Sequence, residues 1–269
     1  RLQEAIGRVQ PMTMIEGSVD ILRKAGIDSL NFDLMYGLPG QTMAELDDTL
    51  DHATRLGANR IALFGYAHVP HLIPRQKRIE ATNLPGQEER FRMAERGYAR
   101  LTGDGYVAVG FDHFALPGDP LAQAALAGRL RRNFQGFTDD RAPVLLGLGA
   151  SAISSFPTLL IQNEKNAGRY RMLLSQDCLP AGHGKARSVD DRRRGAVIEE
   201  LLCRGRSRIE KAMLEEAWPR LAPYVETGLA ELDNSALVIQ PHALPYARSI
   251  AACFDPYRQQ TPRRFSSAV

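Results

Sequence analysis

Two clusters of polar residues stand out against apolar surroundings. In Gly110-Phe-Asp-His-Phe-Ala-Leu-Pro117, Asp112 and His113 follow an apolar run; beyond them, Arg129, Arg131 and Arg132 precede Asn133-Phe-Gln-Gly-Phe137. Forked guanidinium donors suit carboxylates, so the arginines read as a clamp for an acidic substrate or as a solvated basic turn. Asp33 lies between Phe32 and Leu34 in a second block, Asn31-Phe-Asp-Leu-Met-Tyr-Gly-Leu-Pro-Gly-Gln-Thr42. A carboxylate in such a run needs hydrogen-bond donors. Either it caps backbone amides at a strand end or it receives hydroxyl or amino protons from a ligand. His68, His71 and His113 fall in loops after strands. His-x-x-His outside a helix is a weak metal signal, and satisfied loop histidines are the competing reading. Cys178, Cys203 and Cys253 form neither CxxC nor CxxxCxxC, so this chain alone builds no zinc or iron–sulfur site. The position of Arg8 by itself indicates nothing.

The elements that must hold these groups repeat a pattern of helix, glycine stop, apolar strand and loop. A helix over about Pro11 to Lys24 stops at Gly26 and leads to a strand at Ser29–Met35. Met43, Leu46, Leu50 and Ala53 have helical spacing after a Thr42/Glu45 capping box, with a stop at Gly57 and a strand at Arg60–Tyr66. Phe91, Ala94, Tyr98 and Leu101 define a third helix, ending near Gly103–Gly105 and feeding a strand at Tyr106–Phe111. A fourth strand is expected at Val144–Leu148, and a helix near Asn163–Leu174. This alternation predicts a parallel sheet whose functional groups lie at the strands' carboxyl ends.

After about Ala181 the texture changes. Ala181-Gly-His-Gly-Lys185 reads as a linker; helices follow at Ser188–Leu202 and Ile209–Trp218, a hairpin around Asp233-Asn-Ser-Ala236, and a last helix at Ala243–Cys253. The order suggests a winged-helix-like unit. Arg192–Arg194, Arg204, Arg206 and Arg208 raise the question of DNA, but interspersed Glu199, Glu200, Glu210, Glu215 and Glu216 favour a solvated mixed face.

Composition sets outer bounds. The chain has 269 residues, 44% apolar and 24% charged, with a net charge of +3, which is too slight to imply nucleic acid. No apolar run nears the roughly 20 residues of a membrane span. Three separated cysteines suit reduced thiols in the cytoplasm. The first residue is Arg1, in a helical pattern with no start signal, which reads as a piece of a longer protein.

Taken in order, NFDLMYGLPGQT (31–42), YAHVP (66–70), GFDHFALP (110–117), RRNFQGF (131–137), LLGLGASAIS (145–154), IQN (161–163) and CFDPYRQQ (253–260) resemble one family. It is the oxygen-independent coproporphyrinogen III dehydrogenase family, the radical S-adenosylmethionine enzymes of haem biosynthesis. The DHF and RNFQGF pair separates it from the related haem chaperones, which remain the alternative reading. The resemblance spans essentially the whole chain and matches about the C-terminal three-fifths of a family member. It implies an α/β fold: residues 1–180 as the C-terminal part of a partial barrel and 181–269 as a small helical, winged-helix-like domain. The implied reaction is oxidative decarboxylation of two propionates of coproporphyrinogen III to vinyl groups, giving protoporphyrinogen IX. It also implies a [4Fe–4S] cluster on an upstream CxxxCxxC, an electron donor for it, a 5'-deoxyadenosyl radical and two S-adenosylmethionine molecules. By position, Arg8 and Asp33 correspond to contacts with the second of these molecules, Ala67 and Ile153 to contacts with the first. The expected protein is a cytoplasmic monomer when full length, with no nucleic-acid or membrane partner, and this chain alone is expected to be inactive.

Overall fold

The computed structural model describes residues 1–71 and 73–259. Gln260, the last residue of the CFDPYRQQ block, lies outside the described residues. A short helix α1 (Leu2–Ala5) and an amphipathic α2 (Met12–Lys24) come first, and Gly26 then turns the chain at φ +81° into β1 (Asn31–Tyr36). The expected capping box is present: the Thr42 hydroxyl accepts from the Glu45 amide, and the Glu45 carboxylate accepts from the Thr42 amide. It starts α3 (Met43–Arg55), followed by β2 (Arg60–Gly65). These strands are parallel, in register from Asn31↔Arg60 to Tyr36↔Gly65.

The sheet then departs from the all-parallel expectation. Helix α4 (Gln87–Gly103) delivers the chain to β3 (Val107–Val109), but Gly110 (φ +65°) opens a reversal into β4 (His113–Ala115). Strand β4 inserts beside β2, antiparallel to both neighbours, giving the order β1-β2-β4-β3. The DHF block is therefore mainly a strand rather than a strand-exit loop. One face of this sheet buries Ile61, Leu63 and Phe114 against Leu46, Leu50, Met93 and Leu101 of α3 and α4. The contact is close: a Cβ on Gly97 would come within 2.2 Å of a Leu63 methyl.

Next come α5 (Pro120–Leu126), capped by Asp119, and the hairpin β5 (Arg131–Asn133) and β6 (Gly136–Thr138). A three-stranded antiparallel sheet follows, β7 (Ile153–Ser155), β8 (Leu159–Asn163) and β9 (Ala181–Ala186), with α6 (Ala167–Ser175) between its last two strands. Two expectations are corrected here. Val144–Leu148 is not a strand; only Leu145 bridges to Ser155, because Gly149 (φ +106°) bends the chain. Ala181–Lys185 is not a linker but most of β9, paired through its backbone with β8.

The remainder is α7 (Val189–Arg204), β10 (Arg206–Arg208), α8 (Lys211–Glu226), β11 (Ala230–Asp233) and β12 (Ala236–Ile239). A 3-10 turn (Pro241–Tyr246), α9 (Ala247–Ala251), another 3-10 turn (Ala252–Phe254) and α10 (Pro256–Gln259) close it. Helix α8 runs past the expected end at Trp218 and through Pro219 and Pro223, its inner face fixed by buried Met213, Ala217 and Leu221. Helix–strand–helix–hairpin is the winged-helix order, and its core runs from Val197 to a fully buried Phe254.

Candidate functional site at the strand ends

Register places the sequence-derived groups on the sheet. Asp33 pairs with Ala62, and Ala62 with His113, so the three share the face opposite α3 and α4. On that face Asp33 is exposed and accepts a 2.8 Å hydrogen bond from the Asn31 side-chain amide, leaving acceptor capacity for a ligand. His113 is held more tightly. Its Nδ1 lies 2.6 Å from an Asp112 carboxylate oxygen, and its ring meets Phe64 and Phe137 edge-on at 5.6 and 5.3 Å. A carboxylate on Nδ1 fixes that nitrogen as the proton carrier and leaves Nε2 as an acceptor.

Gly110 explains why the DHF and RNFQGF blocks come together. A Cβ there would lie 2.0 Å from Phe137 Cζ, so only glycine lets the β5–β6 hairpin lay that ring on the turn. Beyond the turn lies a cavity of about 270 Å³ lined by Tyr36, Phe64, Ala67, Phe111, Asp112 and Arg248, among others. Burial pushes the Tyr36 phenol up to about 12; the Asp112 carboxylate adds to this, and the Arg90 and Arg248 guanidiniums oppose it. At neutral pH that hydroxyl is a donor.

The four positions carried over from the resemblance come from different elements. Ala67 lines the cavity, and its carbonyl accepts from Gln76. Ile153 sits half-buried on β7 opposite Gln162, and Arg8 is exposed between α1 and α2. The arginine triplet divides as well. Arg129 is exposed after α5, whereas Arg131 pairs with Glu199 of α7 at 2.7 Å. Arg132 lies over Phe111 and Phe137. His68 accepts or donates at 3.2 Å to the Tyr66 hydroxyl, and His71 is exposed. Among the described residues no three His, Cys, Asp or Glu side chains gather as metal ligands. Sequence reasoning missed Tyr36, Arg90 and Arg248; the arginine on α9 has no local signal that could have found it.

The arginines of the winged-helix-like part are largely matched. Arg193 faces Glu210, Arg194 bridges Asp190 and Glu216, and Arg204 faces Glu200. No helix among the described residues is long and apolar enough to cross a membrane.

No protein-family model matches the chain. Curated relatives do. The oxygen-independent coproporphyrinogen III oxidase of Cereibacter sphaeroides is 38% identical over 277 residues, covering 99% of this chain and 61% of the relative. That of Thermostichus vulcanus is 35% identical over 285 residues, covering all of this chain and 86% of the relative. Among solved structures, the Escherichia coli coproporphyrinogen III oxidase, a radical SAM enzyme, superposes with a TM-score of 0.86 at 33% identity, over 95% of this chain and 61% of that one. The chain thus spans about three-fifths of the length of most relatives it matches, and the α/β architecture agrees with the solved one. Shared sequence along the whole chain, and a shared fold beneath it, place this chain in the oxygen-independent coproporphyrinogen III oxidase family.

Proposed function

We propose that the chain supplies strand-end and C-terminal parts of an enzyme that oxidatively decarboxylates two propionates of coproporphyrinogen III to vinyl groups, giving protoporphyrinogen IX. The observation that carries this reading is the match over the full chain to relatives bearing that oxidase name. Those names favour the oxidase over the haem-chaperone alternative.

The family's cofactors are S-adenosylmethionine and a [4Fe–4S] cluster, which together supply one-electron chemistry. The cluster does not fit this chain. Cluster ligands are thiolates, yet Cys203 is buried with its thiol pushed up to about 12, chiefly by burial; Cys253 is buried and Cys178 exposed elsewhere. S-adenosylmethionine does fit. Asp33 offers an exposed carboxylate to ligand hydroxyl or amino groups, and Ala67 and Ile153 would act through backbone atoms and apolar packing; Arg8 would offer guanidinium donors to a ligand carboxylate or base. Two bound molecules, with Arg8 and Asp33 on the second, remain part of this proposal. So does the division of the chain near residue 180 into barrel and winged-helix-like parts, and so do the full-length monomer, the electron donor and the cytoplasmic site.

The test is anaerobic. With reductant, S-adenosylmethionine, iron and sulfide, the isolated chain is expected to form no protoporphyrinogen IX; turnover by the chain alone would overturn this division of labour. In titration calorimetry Asp33→Asn is expected to weaken S-adenosylmethionine binding at least about tenfold, the scale of one charge-assisted hydrogen bond. Unchanged affinity removes Asp33 from the site.

A further inference from the structure

Two guanidiniums from distant parts of the chain meet on one aromatic ring. Arg132 of β5 lies 5.8 Å from the Phe111 centroid, and Arg248 of α9 lies 5.9 Å from the same centroid. Their guanidinium carbons are therefore no more than the sum of those distances, 11.7 Å, apart. Among the described residues neither side chain forms an ion pair within 4.0 Å or a hydrogen bond, unlike Arg131, Arg194 and Arg60, each of which holds a carboxylate. A ring face attracts a cation, but one ring does not cancel the repulsion between two. Asp112 is the acidic group lining the same cavity as Arg248, and its Oδ1 is engaged by His113 at 2.6 Å.

Both arginines are exposed, so an anion from solution can reach either guanidinium. Arg248 borders the 270 Å³ cavity, whose wall includes Tyr36, Phe64 and Phe111. Arg132 borders a larger groove of about 690 Å³, where Phe134, Phe156 and Leu160 supply apolar wall and Arg187 and Arg192 add positive charge; of its two carboxylates, Glu199 is held by Arg131 and Asp140 accepts from the Ala142 amide. Phe111 lines the first recess, and the Arg132 that covers it lines the second. An apolar body carrying carboxylates on separate edges would satisfy both.

We infer that Arg132 and Arg248 form a carboxylate clamp, one guanidinium for each of two carboxylates on an apolar, ring-built ligand. If the proposed function holds, on which this assignment of ligand rests, those are substrate propionates other than the one reacting. A guanidinium on the reacting carboxylate would stabilise it and oppose loss of carbon dioxide. Binding remote carboxylates instead spends affinity on orientation. The clamp also gives the C-terminal part a role in the site, because Arg248 is its contribution.

The test is direct binding by the 269-residue chain. Coproporphyrin III serves as an air-stable tetrapyrrole probe, its tetramethyl ester as the uncharged control, and isophthalate as a small aromatic dicarboxylate. Arg132→Met and Arg248→Met keep the alkyl stems over Phe111 and remove the charge, and thermal melts establish that both variants fold. Each is expected to weaken coproporphyrin III binding at least about tenfold, with recovery in the Lys variants and little binding of the ester throughout. Wild-type affinity in both Met variants, or equal binding of acid and ester, overturns the clamp and leaves the proposed function standing. Arginine-dependent binding of isophthalate without binding of the tetrapyrrole supports the clamp and overturns the substrate reading. Binding of neither probe overturns both.

Discussion

Two three-stranded antiparallel sheets in this chain share a pairing pattern and little else. In β10-β12-β11, Ser207, Ala230, Leu237 and Ile239 are buried, and the helices around them add a cluster ending in Phe254. In β7-β8-β9 no residue is buried; β9 is exposed along its length, and Leu148 and Leu179 nearby are each 89% exposed. Both are antiparallel ladders, β8–β9 being the longer pair despite a register shift at Gln162/Asn163, so what the middle sheet lacks is side-chain burial rather than backbone pairing. Hydrogen bonds exchanged for those with water contribute little net stability, whereas buried apolar area contributes most of it. The wing sheet should behave as part of a folded core, and the middle sheet as a locally weak unit.

The largest test of this contrast is truncation at matched positions. Leu237→Ala, at a fully buried site, is expected to cost about 2–5 kcal/mol in urea unfolding. Leu160→Ala, on half-buried β8, should cost less than about 1 kcal/mol because its neighbours are already wet. Equal costs would break the comparison.

Native-state hydrogen exchange reads the same contrast without mutation. Amides of β12 should approach the global unfolding limit, and those of β8 should exchange at least about tenfold faster through local opening. Equal protection in both sheets would mean that β7–β9 unfolds only with the rest.

Much of this was legible beforehand, and the failures have causes. Helices α2, α3 and α7 were readable because apolar spacing and caps are local: Thr42 with Glu45 and Ser188 with Asp191 both close as capping boxes. Strand β4 was not readable as a strand. Its reversal at Gly110 depends on Phe137 packing from a hairpin more than twenty residues later, which no window of sequence contains. Strand β9 failed for the opposite reason: Ala-Gly-His-Gly-Lys-Ala carries no apolar alternation, and it is a strand only because β8 offers its edge. The apolar run at 144–148 misled because Gly147 lies against the Ile153 backbone, 2.7 Å from where a Cβ would stand, and the chain bends two residues later at Gly149. In the site, Asp33 and the Asp112–His113 pair were visible as polar residues in apolar runs. Arg248 was not; it looks like any surface arginine on a helix until the fold lays it over Phe111.

Smaller effects locate where the two regions join. Helix α7 follows β9 directly, and its first turn depends on Ser188, whose hydroxyl accepts from the Asp191 amide. Ser188→Ala is expected to cost about 1 kcal/mol, the usual value of an N-cap. The same cap carries a pH dependence. The Asp191 carboxyl is held below the usual carboxylate range, first by the Ser188 backbone N–H, then by the Ser188 and Tyr257 hydroxyls. A carboxyl depressed in the folded state contributes stability above its unfolded value, near 3.9, and loses it as pH falls through the folded value. Thermal melts should therefore show less acid loss below about pH 4 in Asp191→Asn than in the parent, though Asn starts lower at pH 7. Identical acid limbs would remove Asp191 as a contributor.

The smallest effect separates the two arginines that share β5. Arg131 meets Glu199 at 2.7 Å but is half-exposed, and water and salt screen such a pair. Arg131→Gln should therefore cost only about 0.2–1 kcal/mol, shrinking further at high salt. Its affinity for coproporphyrin III should match the parent's, because its charge is already spent on α7. Arg132→Met should show the reverse, near-parental stability with weakened binding, because its guanidinium holds no carboxylate among the described residues and lies over Phe111 and Phe137 instead. If Arg131→Gln weakens binding as much as Arg132→Met does, the division between a tethering and a ligand-facing arginine on β5 is wrong. The whole triplet would then act as one basic surface.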